Sequence, residues 1–485
     1  MTTKRSTGQA LSRRRFFKLA SSATVAAAGM GVLPNPFKKL LGPVGVSEAQ
    51  AQSFPAPNLF YAGTDGWISL PKSPQIISSA LGPVHPDNLA PDARFSTYIF
   101  GFRNVTGLSD TQRADQKNKA QHNAPMFWVD QFSGSNEFRM QLTNLGLALR
   151  PDLFDAHTIH WHGFRNVITF FDGEPTASVA VTTGRVFQYI YRPRDPGTYM
   201  FHCHVEDVEH VHMGMTGPVF VRPAQNKTGN GAGAPVARIN GGSASAPMGY
   251  AYNDGVALSD PMSTAYHREF AMFCSEVWCD SHWADAHIQL PEWSDYRADF
   301  SLLNGRVYPD TLAPNSPINA AASTNSLTVQ TDATGDLVIP PAPYEHLQYQ
   351  PLSALVTCNA GERVLLRFAN LGFRESVMTL AGIKMKVVGK DATPMKGRDG
   401  TDTSYQANTV SFGAGESIDA IFTAPAFSGG SGSSGQGWDT YVLYDRAYER
   451  ANNLAAEGSA RYGGRQTEVR VYPAGTLPAQ TLPNT

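Results

Sequence analysis

His202-Cys203-His204-Val205-Glu206-Asp207-Val208-Glu209-His210-Val211-His212-Met213-Gly214-Met215 packs four histidines, one cysteine and two methionines into fourteen residues. In an extended strand, successive side chains point to opposite faces. The Cys203 thiol therefore looks one way, and the imidazoles of His202 and His204 look the other. A thiolate, two imidazoles and a weak axial thioether are the donors that suit a one-electron copper centre. Cys203, His210 and Met215 supply three of them, and the natural source of the remaining imidazole is His157. Zinc also takes imidazole and thiolate, but the pairing of a cysteine with a methionine tips the choice to copper.

A second string lies upstream, His157-Thr158-Ile159-His160-Trp161-His162-Gly163. His160 and His162, two apart, share a face. With His202 and His204 they make four imidazoles on adjacent strands, enough for a second metal site of one or more ions. The covalent path from Cys203 to either neighbour joins the two sites. Asp172, ten residues after His162, could orient a metal-bound water or relay protons; as part of Asp172-Gly173 it also reads as a turn residue. His212 reads as a residue outside the ligand set.

The surrounding chain is all-β in character. Its 44 glycines and 33 prolines punctuate many short runs rich in Val, Thr, Tyr and Phe. The two halves echo each other. Phe138-Arg139-Met140-Gln141-Leu142-Thr143-Asn144-Leu145-Gly146 resembles Val364-Leu365-Leu366-Arg367-Phe368-Ala369-Asn370-Leu371-Gly372, and Thr198-Tyr199-Met200-Phe201 resembles Thr440-Tyr441-Val442-Leu443. The order is kept, as a duplicated β-sandwich requires. The expected organisation is a metal-binding sandwich over 53–225, a Gly/Ala/Ser-rich linker over 226–249 and a second sandwich over 250–475. Residues 428–437 read as a loop tip within the second.

Residues 1–51 read as an address. Ser12-Arg13-Arg14-Arg15-Phe16-Phe17-Lys18 is a twin-arginine export pattern, an apolar stretch follows from Leu19 to Leu33, and Ala49-Gln50-Ala51 is a plausible cleavage site. That route carries folded proteins, so a metal can be loaded before export to the periplasm or beyond. Cleavage removes eight of the 39 basic residues and one of the 41 acidic ones, leaving a net charge near −9. Such a surface argues against nucleic acid as a partner. No later apolar run is long enough to span a bilayer. Among Cys274, Cys279 and Cys358 a bridge would suit an oxidising compartment; Cys274 and Cys279 would face opposite ways if they share one strand.

The two histidine strings resemble the copper motifs of the multicopper oxidase family, which has the cupredoxin fold. That family carries H-x-x-H-x-H-G early and H-C-H…H-x-x-x-G-M late, and both patterns stand here; Leu303-Asn304-Gly305-Arg306 is similar to a strand-turn of the family. The resemblance implies two tandem cupredoxin-like Greek-key sandwiches. It makes His157, Cys203, His210 and Met215 the type 1 copper ligands. His160, His162, His202 and His204 become half of a type 2/type 3 cluster, and Asp172 the acidic residue that helps protonate oxygen. It further implies one-electron oxidation of a small reductant, a phenol or a metal ion, with O₂ as acceptor.

The sequence departs from the family in two places. Cys203 to His210 carries about two extra residues, a loop-length change. More seriously, the second half shows no paired histidines. By the repeat, His157, His160 and His162 correspond to Ser376, Thr379 and Ala381, and His202, Cys203 and His204 to Tyr444, Asp445 and Arg446. The remaining histidines (His85, His122, His267, His282, His287 and His346) are scattered and read as surface residues, although His282 and His287 near Asp285 could form a small site. A complete cluster then needs two copies of the chain facing each other, help from scattered histidines, or a smaller copper centre. Two other functions compete: a copper nitrite reductase-like enzyme, and a non-catalytic copper-binding or electron-transfer protein of the periplasm.

Overall fold

From Phe138 to Gly146 the chain alternates buried and half-buried residues without a break, the signature of a strand with one face in a core. Strands of this kind build the whole molecule. The computed structural model describes residues 56–485 except 71–76, 79–81, 84–88, 124, 135–136, 229–245, 258, 320–324, 431–435 and 454–462. The export pattern and cleavage site lie outside the described residues, as does His85.

The first sandwich contains β1 (Leu59–Ile68), β2 (Thr97–Asn104), β3 (Phe127–Asp130), β4 (Phe138–Gly146), β5 (His160–His162), β6 (Val186–Tyr191), β7 (Gly197–His202) and β8 (Thr216–Arg222). Its sheets run β2-β1-β4-β6 and β3-β8-β7-β5. Between them lies a core rich in aromatic rings, where Phe127 contacts Phe138, Trp161 and Phe201 at centroid distances of 5.5, 5.9 and 4.9 Å. Truncating such a ring to alanine costs about 3–5 kcal/mol. A short helix, α1 (Asp207–Met213), joins β7 to β8 and closes in the left-handed region at Gly214.

The second sandwich repeats this plan. It contains β9 (Arg268–Val277), helix α2 (Cys279–Ala286), β10 (Phe300–Leu303), β11 (Val356–Asn359), β12 (Arg363–Asn370), β13 (Ser376–Leu380), β14 (Met385–Lys390), β15 (Thr409–Phe412), β16 (Ser417–Thr423), β17 (Asp439–Asp445), helix α3 (Tyr448–Asn452) and β18 (Gln466–Tyr472). One sheet runs β10-β9-β12-β16-β14 and carries two further short strands; the other runs β11-β18-β17-β13-β15. Parallel pairing of β9 with β12 matches that of β1 with β4. The antiparallel pair β17–β18 matches β7–β8.

Sheet meets sheet across a buried polar seam. Thr198, on β7, donates its hydroxyl to Asp419 at 2.5 Å and accepts from Arg367 at 3.1 Å. Arg367 and Arg222 both pair with Glu269, at 2.7 and 2.9 Å. Every charge in this seam has a partner, as burial requires.

Three expectations need correction. Cys274 lies on β9 while Cys279 opens α2, so the two do not share a strand. All four cysteines are buried free thiols, without a bridge. His122 and His282 are each only 1% exposed, interior rather than surface residues. No helix among the described residues is long and apolar enough to cross a membrane.

Candidate metal centre

Antiparallel pairing of β5 with β7 sets His160 directly opposite His202 and His162 opposite Met200. Residues that face each other across such a pair project from the same side. The strand ends at His202 and the chain runs on to Cys203, whose thiol turns into the core, while the rings of His202 and His204 lie together on the other side.

On the core side, Cys203, His157 and His210 are all fully buried. The Cys203 Sγ stands 3.2 Å from His210 Nδ1 and 4.0 Å from His157 Nδ1. It also accepts the Thr158 N–H at 3.4 Å. Met215 joins from the start of β8, tied by its carbonyl to Cys203 N (3.0 Å) and by its N–H to the His210 carbonyl (2.9 Å). Gly63 on β1 marks how tightly this side is packed. A side-chain carbon there would stand 2.8 Å from His157 Cδ2 and 3.3 Å from Met215 Cε.

Charge follows from that geometry. Burial would raise the Cys203 thiol, but His210 and His157 outweigh it and hold the group well below the ordinary thiol value. Burial likewise opposes a charge on His210, yet Cys203 and Asp155 push it up to about 10. Asp155 Oδ2 lies 3.3 Å from His210 Nε2, fixing the outer edge of the ring. The sequence reading missed Asp155, which lies outside any strand and reaches His210 only through the fold.

On the opposite side, ring nitrogens of His160, His162 and His202 all lie within 4.8 Å of one another. The ring of His204 joins them, 4.7 Å from His160 and 5.5 Å from His202 between centroids. His160 Nδ1 donates to the Asp172 carbonyl at 2.9 Å, and His202 Nδ1 to the Cys203 carbonyl at 2.8 Å. Each bond turns that ring's Nε2 toward the cluster, the usual way a ligand imidazole is oriented, and His202 Nε2 meets His162 Nδ1 there at 3.2 Å. Burial keeps His160, His162 and His202 below the ordinary imidazole value, His202 at about 3. Neutral rings are the form that binds metal.

Asp172 caps a short 3₁₀ turn, Thr169–Phe171. Its Oδ1 stands 3.6 Å from His160 Nδ1. The next residue must be glycine: Gly173 has φ +77°, and a side-chain carbon would meet the Ile159 carbonyl oxygen at 2.2 Å. His162 Nε2 comes close to Gly415 of the second sandwich, so the cluster abuts that half of the same chain. His287 stacks on Trp283, and its Nδ1 bonds the Trp283 carbonyl at 2.7 Å. His282 turns instead to the Tyr98 carbonyl. The sequence-based small site at His282, His287 and Asp285 is therefore not assembled.

The donor set fits copper in two respects. Three buried donor atoms, one sulfur and two imidazole nitrogens, already converge within 4.8 Å of one another. The neighbouring group is all imidazole, which copper also accepts.

Residues 140–226 match the model of the family described as multicopper oxidase. Similar solved structures include the blue copper oxidase from Nitrosomonas europaea, 17% identical, with 85% of each chain covered and a TM-score of 0.47. The multicopper oxidase mgLAC is 17% identical over 87% of each chain, with a TM-score of 0.47. The copper nitrite reductase from Nitrosomonas europaea is 13% identical over 80% of this chain and 91% of that one, with a TM-score of 0.44. A search of curated proteins found no match. The matched segment runs from β4 through the whole His202–Met215 string and past β8, so this part of the first sandwich matches the multicopper oxidase family model.

Proposed function

We propose that the chain is an exported, copper-dependent oxidoreductase that removes single electrons from a small reductant and passes them to O₂. One observation carries this reading: a buried thiol–imidazole group and a cluster of four imidazoles lie on opposite sides of the segment His202–Cys203–His204, joined by its backbone. His157, Cys203, His210 and Met215 would hold one copper; His160, His162, His202 and His204 would hold the second centre. Copper bound by the first set supplies one-electron exchange through the thiolate. The protein's own part is positional. Asp155 holds the outer nitrogen of His210, the Asp172 carbonyl orients His160, and the Asp172 carboxylate stands where a proton can be kept beside the cluster.

The reductant side favours a metal ion over a phenol. Carboxylate oxygens of Asp155 and Glu206 and the outer nitrogen of His210 all lie within 4.8 Å of one another, and Glu206 is exposed. Hard oxygen donors at a surface suit a divalent cation. The twin-arginine pattern at 12–18 supports export to the periplasm or the medium.

Copper titration with oxygen uptake tests the proposal. A blue absorption band, more than one copper per chain and oxygen consumption with Mn(II), Fe(II) or a phenol are expected. A blue band without oxygen uptake on any of them would leave an electron carrier. Nitrite-dependent release of NO would select the nitrite reductase-like alternative.

A further inference from the structure

The stretch between His210 and Met215 is held from outside its own sandwich. His212, on α1, is 4% exposed and accepts the Trp278 N–H at its Nε2, 3.0 Å away. Trp278 is the residue that opens α2 in the second half. Four rings enclose the His212 imidazole: His282 at 5.0 Å, Tyr296 at 5.4 Å, Trp293 at 5.5 Å and Phe373 at 5.6 Å between centroids. All four come from the second half of the chain.

The tie is reciprocal. His282, on α2, puts its Nδ1 2.6 Å from the carbonyl of Tyr98 on β2 of the first sandwich. One imidazole thus reaches from each half to the backbone of the other, and the two rings touch. Beyond α1, Gly214 (φ +119°) is pressed under His122. A side-chain carbon there would stand 2.5 Å from His122 Nδ1. The segment His210–Met215 can therefore shift neither along α1, because His212 is bonded, nor at its end, because Gly214 has no room.

We infer that His212 is a positioning residue for the copper centre: by bonding Trp278 it lets the second sandwich, which has no paired histidines of its own, fix where His210 and Met215 stand relative to Cys203. The geometry supports this because His212 is two residues from His210 and three from Met215, with no polar contact to either ring or sulfur. Its influence must pass through the backbone of α1. An axial thioether acts through its distance from the metal, so small backbone shifts change the electronic state of the site.

This inference rests on the copper reading, and the test separates the two. Three copper-loaded variants are compared with the wild type by visible absorption, copper hyperfine splitting in EPR, and reduction potential. His212→Gln keeps an acceptor for the Trp278 N–H, and its spectrum and potential should stay close to wild type. His212→Phe keeps the bulk and removes the acceptor; it should retain copper but shift the blue band, the hyperfine splitting and the potential. His282→Ala keeps the His212–Trp278 bond and removes one wall; it should shift the same signals in the same direction by less. Should His212→Phe fail to fold, His282→Ala decides. An unshifted spectrum and potential in the folded variants that lose a contact would overturn the inference. Absence of a blue band from the wild type would instead overturn the copper reading.

Discussion

The same strand ends finish differently in the two sandwiches. In the first, Cys203 N donates to the carbonyl of Met215 at 3.0 Å; in the second, Asp445 N donates to the carbonyl of Arg465 at 2.9 Å. His160 pairs with His202 as Thr379 pairs with Tyr444. The backbone is repeated, so the side chains can be compared one for one. Where the first half places a thiol and a thioether, the second places a carboxylate and a guanidinium. Arg465 donates to Ser376 Oγ at 2.7 Å and lies 3.5 Å from Asp445 Oδ2. Ser376 is the residue that the repeat aligns with His157. The second sandwich therefore fills its site with a cation from its own chain, whereas the first converges donors on a place suited to a metal ion. Both solve one problem, since buried anionic and lone-pair groups need a positive partner.

The strongest way to break this comparison is Arg465→Ala. It would leave Glu276, 1% exposed at the side chain, without its cation and Asp445 with Arg450 alone, and should cost about 3 kcal/mol of stability. Urea unfolding followed by circular dichroism measures it; a loss below about 1 kcal/mol would mean that the guanidinium is not the structural substitute for a metal. Next comes the cation of the first half. Copper at about a hundredfold over its Kd should raise unfolding stability by about 2.7 kcal/mol. In Cys203→Ser that gain and the blue band should both disappear, while Arg465→Ala should leave the band in place as long as the protein folds.

Smaller effects sharpen the contrast. Gly63→Ala pushes a methyl against His157 and Met215 and should cost about 1–3 kcal/mol by overpacking. It should also perturb the blue band, because the crowded atoms belong to the proposed ligands. Ser376→Ala removes one hydrogen bond from the buried Arg465 and should cost about 1.5 kcal/mol with no spectral change. Scanning calorimetry together with the visible spectrum reads both variants. A spectral shift in Ser376→Ala, or none in Gly63→Ala, would blur the line drawn between the two sites.

Much of the first site could be read from residues alone, and particular residues show why. A strand alternates with a period of two, so His202, Cys203 and His204 had to divide between two faces whatever surrounds them. His160 and His162 share a face for the same reason. Asp155 was overlooked because an aspartate in a loop has many ordinary uses, and only the fold brings it to the far edge of His210. His212 was placed outside the ligand set, but its partner Trp278 lies 66 residues away, and no local pattern announces that contact. The role of Arg465 was hidden by spacing. Twenty residues separate it from Asp445, against twelve between Cys203 and Met215. Loops absorb insertions without moving the strands they join, so alignment by spacing fails where backbone pairing still holds.

What the amino-acid order determined by itself was chemistry and periodicity: an all-β chain, a soft donor set on one face of a strand, and imidazoles on the other. Those follow from residue type and from the geometry of a single extended segment. Tertiary structure decided which distant groups complete each end: Asp155 against His210, Arg465 in the place of Met215, Trp278 against His212. Such pairings are settled by sheet register and by the packing of one sandwich on another, which depend on the whole fold rather than on any one stretch of it.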